Sequence, residues 1–435
     1  MKSPFNQHPE EIFMSIDAID HMEEAWSLDD NPFPNEAINL ENTPYSPTVF
    51  DEEVQEFRRK FIRASVHANV GFLWSQGLHA DTGFGKTTLM RQISKEINQD
   101  LGVDTLTKAG VRENKRVLVA AAYSNLNNLG ASGLYPVLFN AVLDLAKEPT
   151  PGTKCVLDQA RDLIVQGLGT DDPASIVSHL IDSWLNICGT APPLRRELVD
   201  SFADNGAHGV KSVLASVSAT ARLRNGLHYL DFGLAALSAA GINHLYLMID
   251  QLEDLATTRT ITAAKRSREI GRIRDMLEGP PYAGRVHFIL TFHNRAAQKL
   301  ERFWEENRLP RFEISPSNTA SVVVLRGLKD DEQVADVLRV YLEEQRNSSV
   351  EDELLPFDPG AVTVLREASE GRIGILLKHA REILDFAASQ GAPMITEALA
   401  SQFFGSTNSS ELEFGVGDDL GTPNNDIDDL LLHTR

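Results

Sequence analysis

The chain has 435 residues and a mass of 48.0 kDa, with 42% hydrophobic and 24% charged residues. At roughly 100–200 residues per domain, that is room for about two to four folded units with a sizeable core. Only two cysteines occur, Cys155 and Cys188, and no apolar run reaches the ~18 residues of a membrane span, so a disulfide scaffold and a transmembrane protein are excluded.

The net charge of -21 is unevenly placed. Residues 1–56 hold fourteen acids and one base, Lys2, and residues 406–435 hold seven acids and one base, Arg435. The stretch between them is almost neutral. Acidity at the ends does not exclude a nucleic-acid surface on the core, and no basic block announces one. The plain reading of both ends is solubility and disorder. The last residues, with Leu430, Leu431 and Leu432 among acids, also fit a short docking peptide that orders on a partner. The N-terminus has no apolar run behind a positive charge, so a secretory signal is not expected and the reading is cytoplasmic.

In chain order, Ile12, Phe13, Ile16, Ile19 and Trp26 suggest a short amphipathic helix over 10–28. Pro32, Pro34, Pro44 and Pro47 mark an extended linker over 29–50. A helix over 51–66 and a strand over 71–78 precede a glycine-rich turn. A helix over 88–97, a strand over 116–123 and a helix over 133–147 follow. Residues 150–228 read as a helical insertion. Then come a helix over 230–240, a strand over 245–249, a helix, a strand over 286–291, a helix over 295–306 and a strand over 312–314. The rest is helical: 330–346, 359–369, 372–389 and 395–403. Strands alternating with helices predict a parallel sheet covered on both faces.

The sharpest motif is Ala80-Asp81-Thr82-Gly83-Phe84-Gly85-Lys86-Thr87, which fits the phosphate-loop pattern GxxxxGK[ST] with Ala80 at the first glycine. Gly83 and Gly85 let backbone N–H groups face a phosphate chain. Lys86 supplies positive charge at the β- and γ-phosphates, and Thr87 offers a hydroxyl to Mg2+. The helix opening at Thr88 points its positive end at the same anion. The nucleotide-binding set is therefore Asp81, Thr82, Gly83, Phe84, Gly85, Lys86, Thr87 and Thr88. Ala80 carries a steric cost if the turn needs a positive φ there.

A phosphate loop needs a partner acid at the end of a neighbouring strand. The apolar run Leu245–Ile249 ends in Asp250, placed to hold the Mg2+ water shell. Thr87 and Asp250 are thus the expected metal residues. Gln251, Leu252, Glu253 and Asp254 follow. Glu253 or Asp254 could orient the attacking water from the next turn, and Glu253 is favoured. Without such a residue, the site hydrolyses slowly and behaves as a switch.

These motifs, with the strand order and the helical tail, resemble the AAA+ branch of P-loop ATPases, in particular origin-initiator, helicase-loader and transposition-regulator ATPases. The resemblance covers roughly residues 57–405. It implies a P-loop NTPase α/β fold: a parallel sheet flanked by helices, a helical insertion and a C-terminal all-helical lid. The domains expected are an acidic arm and linker (1–56), the ATPase domain (57–315, insertion about 150–228), the lid (316–405) and an acidic disordered tail (406–435).

The resemblance also implies roles. Thr291 or Asn294, ending the 286–291 strand, would contact the γ-phosphate or the attacking water. Arg372, opening a lid helix, would report the γ-phosphate to the lid. Of Arg302, Arg308 and Arg311, Arg308 is favoured as the finger reaching a neighbouring subunit's nucleotide. Arg266, Arg268, Arg272 and Arg274 fit either a solvated helix face or a surface touching DNA phosphates.

Three departures stand out: Gln251 occupies the place where relatives carry a catalytic Glu, the insertion is long, and no winged-helix module is readable after the lid. The function implied is an ATP- and Mg2+-dependent ATPase. It would be a homo-oligomeric switch acting on DNA or on a DNA-processing protein. The alternative is a signalling or anti-phage defence NTPase that controls a separate effector.

Overall fold

The computed structural model describes residues 16–34, 44–63, 70–75, 83–126, 133–189, 194–252, 254–258, 261–291, 294–309 and 321–407. Among them, five strands form one parallel sheet: β1 (Val70–Ser75), β2 (Leu118–Asn125), β3 (Ile242–Asp250), β4 (Val286–Thr291) and β5 (Val322–Leu325). The order across the sheet is β2-β3-β4-β1-β5. Phe72 of β1 sits between Leu290 of β4 and Val322 of β5, and Asn125 of β2 is level with Asp250 of β3. Every residue of β4 is buried, as a central strand covered on two faces demands.

The helices are α1 (Ile16–Trp26), α2 (Asp51–Phe57), α3 (Lys86–Gln99), α4 (Val103–Lys108), α5 (Leu134–Leu145), α6 (Val156–Leu168), α7 (Pro173–Cys188) and α8 (Arg196–Ala215). They continue with α9 (Ala219–Ala239), α10 (Asp254–Thr257), α11 (Ala263–Glu278), α12 (Asn294–Glu306), α13 (Asp331–Glu344), α14 (Pro359–Ser369), α15 (Ile373–Ser389) and α16 (Glu397–Thr407). Side-chain alternation along each strand divides the core in two. Ala120, Ala122, Leu247 and Phe288 face a layer that includes α5 to α9. Val119, Ala121, Tyr246 and Ile289 face α3, the N-terminal arm and the lid helices. The expected α/β architecture with an all-helical C-terminal region is present.

β2 is an edge strand, and its outer backbone groups are closed by other parts of the chain. Val119 N–H donates to the Leu101 carbonyl at 2.9 Å. Asn98 both accepts from Ala121 N–H and donates to its carbonyl, each at 2.8 Å. Tyr123 N–H donates to Asp144 Oδ2 at 2.7 Å. These contacts leave the edge unsuited to pairing with another strand. They also fix the height of Tyr123 at the carboxyl end of the sheet.

The insertion is built of capped helices. Asp172 accepts from Ser175 N–H at the start of α7, with Pro173 in its first turn, and Ser218 caps α9. α9 passes position 228 without a break and packs on α5 and β3, so the insertion and the sheet share one core.

The strand expected over 312–314 falls outside the described residues; among those described, the strand beside β1 at the sheet edge is β5, at Val322–Leu325. A boundary at 315/316 therefore cuts a strand from its sheet; the all-helical part begins after Leu325. The arm is also no plain linker. Trp26 is fully buried and its Nε1 donates to the Pro393 carbonyl at 3.1 Å. Leu28 bridges Arg346, and the Phe33 ring lies 5.9 Å from Tyr341 and 6.0 Å from Phe357. Buried aromatics outweigh the prolines here, because each anchor removes a large apolar area from water. Among the described residues, no helix is long and apolar enough to cross a membrane.

Candidate nucleotide site

The phosphate loop is described from Gly83 onward. Gly83 has φ 84° and Gly85 φ 83°, both in the left-handed region. At Gly85 a Cβ would lie 2.5 Å from Cζ of Phe50, so both backbone angle and space require glycine. Gly85 precedes α3, and no side chain caps that helix among the described residues. Its first-turn N–H groups and positive end are turned toward the loop, an arrangement that suits an anion. Lys86 and Thr87 open the helix, and Thr88 follows in the same turn.

Asp250 ends β3 and is 1% exposed. Its carboxylate takes four donors. Thr87 Oγ1 donates to Oδ2 at 2.5 Å, and Tyr123 O–H donates to the same oxygen at 3.0 Å. Thr291 O–H and, at 3.0 Å, Gln251 N–H donate to Oδ1. β2, β3, β4 and α3 thus converge on one carboxylate. Because Thr87 gives its proton to Asp250, the lone pairs of Thr87 Oγ1 remain available to a cation.

Burial and the Asp250 charge push the Tyr123 phenol upward, so it stays a neutral donor. Arg91 lies over its ring at 4.9 Å.

The donor set fits magnesium. A hydroxyl and a carboxylate meet beside the phosphate loop, and both are hard oxygen ligands. Among the described residues there is no cluster of three His, Cys, Asp or Glu that would form an all-protein cage. Phosphate oxygens and water would complete the shell, as magnesium prefers.

The lid closes the other side. Gly374 N–H donates to the Gly83 carbonyl at 2.8 Å, and Ile373 Cδ1 comes within 3.4 Å of the Cβ position at Gly85. Glu370 and Gly371 both adopt left-handed angles, which turn the chain into α15. Arg372 sits at the N-cap of α15, with its Cβ 4.0 Å from the Cβ position at Gly83. One guanidinium nitrogen pairs with Glu370 at 3.0 Å, while Arg372 Nε is buried with no hydrogen-bond partner among the described residues.

The structure therefore brings together Gly83, Phe84, Gly85, Lys86, Thr87, Thr88, Asp250, Thr291 and Arg372 from four separate parts of the sequence. Asp81, Thr82 and Glu253 lie outside the described residues. Asn294 opens α12, and its side chain is also outside them. Arg308 is exposed just beyond α12 with φ 51°, on the surface rather than in the cluster around Asp250. Thr291 is placed as expected at the strand end, but its hydroxyl donates to Asp250.

Two residues of the site escaped the sequence. Tyr123 reads as one more apolar residue of a buried strand. Phe50 lies in a proline-marked segment with no periodic pattern.

The arginines of α11 are largely engaged by their own fold. Arg272 pairs with Glu269 at 2.5 Å and lies over Tyr135 at 3.8 Å; Arg266 donates to the Leu255 carbonyl at 2.7 Å; Arg274 pairs with Glu278 at 3.1 Å. Glu269, itself 1% exposed, accepts from Leu134 N–H at 2.9 Å at the start of α5.

No family model and no curated protein matches the chain. Among solved structures, it is similar to the Aeropyrum pernix ORC2 protein in ADPNP–ADP complexes, at 14% identity and a TM-score of 0.44 over 87% of this chain and 72% of that one. It is similar to the ADP form of the same protein at 14% identity and a TM-score of 0.42, over 86% and 70%.

Proposed function

We propose that this chain binds ATP with magnesium and hydrolyses it slowly, as an oligomeric AAA+-type switch acting on DNA or on a DNA-bound partner. The observation that supports the reading best is the meeting of Thr87 and Asp250 beside Lys86, with the first turn of the lid helix α15 seated on Gly83.

Each residue has a distinct task. The N–H groups of the loop and the first turn of α3 hold the phosphates, and Lys86 offsets their charge. Thr87 and Asp250 hold the magnesium ion, which when bound neutralises charge developing on the phosphates. Arg372 ties the lid to the phosphate end of the nucleotide. Arg308 is exposed, as a residue serving a neighbouring copy must be. Glu253, expected from the sequence to orient water, lies outside the described residues. Assembly with ATP and dispersal after hydrolysis follow if nucleotide favours one arrangement of copies.

One observation favours a second reading, a signalling or defence NTPase that controls a separate effector. The helical insertion ends in α9, which runs straight into β3, the strand that carries Asp250. A ligand or protein on the insertion would have a continuous packed route to the metal-holding carboxylate. Turnover with and without duplex DNA separates the two. Stimulation by DNA that vanishes in Asp250→Asn supports the switch on DNA. Turnover indifferent to DNA and altered by a protein partner supports the second reading.

A further inference from the structure

We infer that Gln251, rather than a carboxylate, orients the water that attacks the terminal phosphate; this rests on the nucleotide-cycle reading above. Gln251 is the first residue past Asp250, at the carboxyl end of the sheet. Its backbone is pinned on every side. The N–H is shared between Asp250 Oδ1 and Thr291 Oγ1, both at 3.0 Å, and the carbonyl accepts from Asp254 N–H at 3.1 Å. Its φ of 59° is left-handed, a region that residues with side chains seldom occupy and that costs energy to hold.

The side chain carries the inference. Gln251 Oε1 is buried and has no hydrogen-bond partner among the described residues. A buried acceptor left unsatisfied calls for a bound water or ligand to complete it. The described hydroxyls around Asp250 are already committed. Thr87, Tyr123 and Thr291 all spend their protons on Asp250, and Thr291 Oγ1 also accepts from Gln251 N–H. Beside these hydroxyls, Gln251 Oε1 is a buried acceptor available, among the described residues, to fix a water molecule by one of its protons.

An amide cannot take that proton away at neutral pH, so its role is orientation. The water oxygen forms a bond to the γ-phosphorus. The bond from that phosphorus to the β–γ bridging oxygen breaks, and ADP leaves with its electron pair. The water's proton ends on the released phosphate or in solvent. Positioning without a general base gives slow turnover, which suits a switch.

The test compares wild type with Gln251→Leu and Gln251→Glu in three measurements: melting temperature without nucleotide, affinity for a non-hydrolysable ATP analogue, and affinity for ADP with aluminium fluoride, alongside ATP turnover. Gln251→Leu is expected to melt no lower than wild type, since it removes an unpaired buried acceptor. It should keep the analogue affinity, and lose about 100-fold in turnover and a comparable factor in capture of ADP–aluminium fluoride. Gln251→Glu should raise turnover about tenfold, by adding a base.

Equal capture of ADP–aluminium fluoride by wild type and Gln251→Leu overturns the inference, even if turnover is too slow to follow. Should Gln251→Leu not fold, a Gln251→Glu protein that is no faster than wild type overturns it. A wild type that binds no nucleotide at all is a separate result, and defeats the nucleotide-cycle reading instead.

Discussion

The N–H of Gly374 donates to the carbonyl of Gly83 across 2.8 Å, so the lid helix α15 begins on the phosphate loop itself. Two glycines meet there, one from each side of the site. The same turn carries Arg372, whose Nε is buried without a hydrogen-bond partner among the described residues. A phosphate entering beside Gly83 would meet the loop and the lid together. That coupling is how a small ligand can move a whole helical unit.

Tyr123 should tune the metal site. Tyr123→Phe keeps the ring under Arg91 and deletes one of the four donors to Asp250. Hydrogen bonds to charged groups contribute about 1.5–3 kcal/mol, so the magnesium-dependent part of ATP affinity should fall about tenfold or more. Affinity in EDTA should not change. Calorimetry in the two buffers reads both numbers.

The arm should stabilise the lid. Trp26 is fully buried, its Nε1 donates to the Pro393 carbonyl, and the His21 ring meets it edge-on at 5.1 Å. Trp26→Ala should cost about 3–5 kcal/mol, as other large-to-small core changes do. Scanning calorimetry should show a lower first transition, and limited proteolysis should cut sooner within residues 326–407.

His379 should make the lid sensitive to acid. It is 9% exposed on α15, its ring lies 4.9 Å from that of Phe404, and Nδ1 is buried without a partner among the described residues. Burial, and then the charges of Lys378 and Arg372, push it down to about 4 from 6.5. Between those two values the unfolded chain binds a proton that the folded chain refuses. Stability from this group is therefore constant above about pH 6.5, falls as the pH drops, and reaches its full loss near pH 4. The loss is about 3 kcal/mol at 1.36 kcal/mol per pH unit. Melting curves of wild type and His379→Leu should diverge below about pH 6.5, with the variant the flatter.

That the phosphate loop, Asp250, Thr291 and Arg372 lie together could be anticipated because each signal is local. Glycines precede a helix at the phosphate loop, Asp250 and Thr291 end apolar runs, and Arg372 follows a glycine at the opening of a helix. Tyr123 was not legible, because its role comes from sheet register: it lies level with Met248, two residue pairs back from the Asn125–Asp250 pair. Val322–Leu325 was too short to stand out, and its identity as a strand depends on pairing with β1. The arm misled because prolines dominate local expectation, whereas Trp26, Phe33 and Phe50 find their partners far along the chain.

A magnesium nucleotide held by Lys86, Thr87 and Asp250 is the core of the proposed function. Titration calorimetry of the full chain with ATP and magnesium, beside Lys86→Ala of unchanged melting temperature, tests it most directly. The expected result is one nucleotide per chain, with affinity lost about 100-fold in the variant, as removal of one partner from a charge pair implies. Well-folded wild type that takes up no adenine nucleotide, or a Lys86→Ala protein that binds it equally well, would contradict the account.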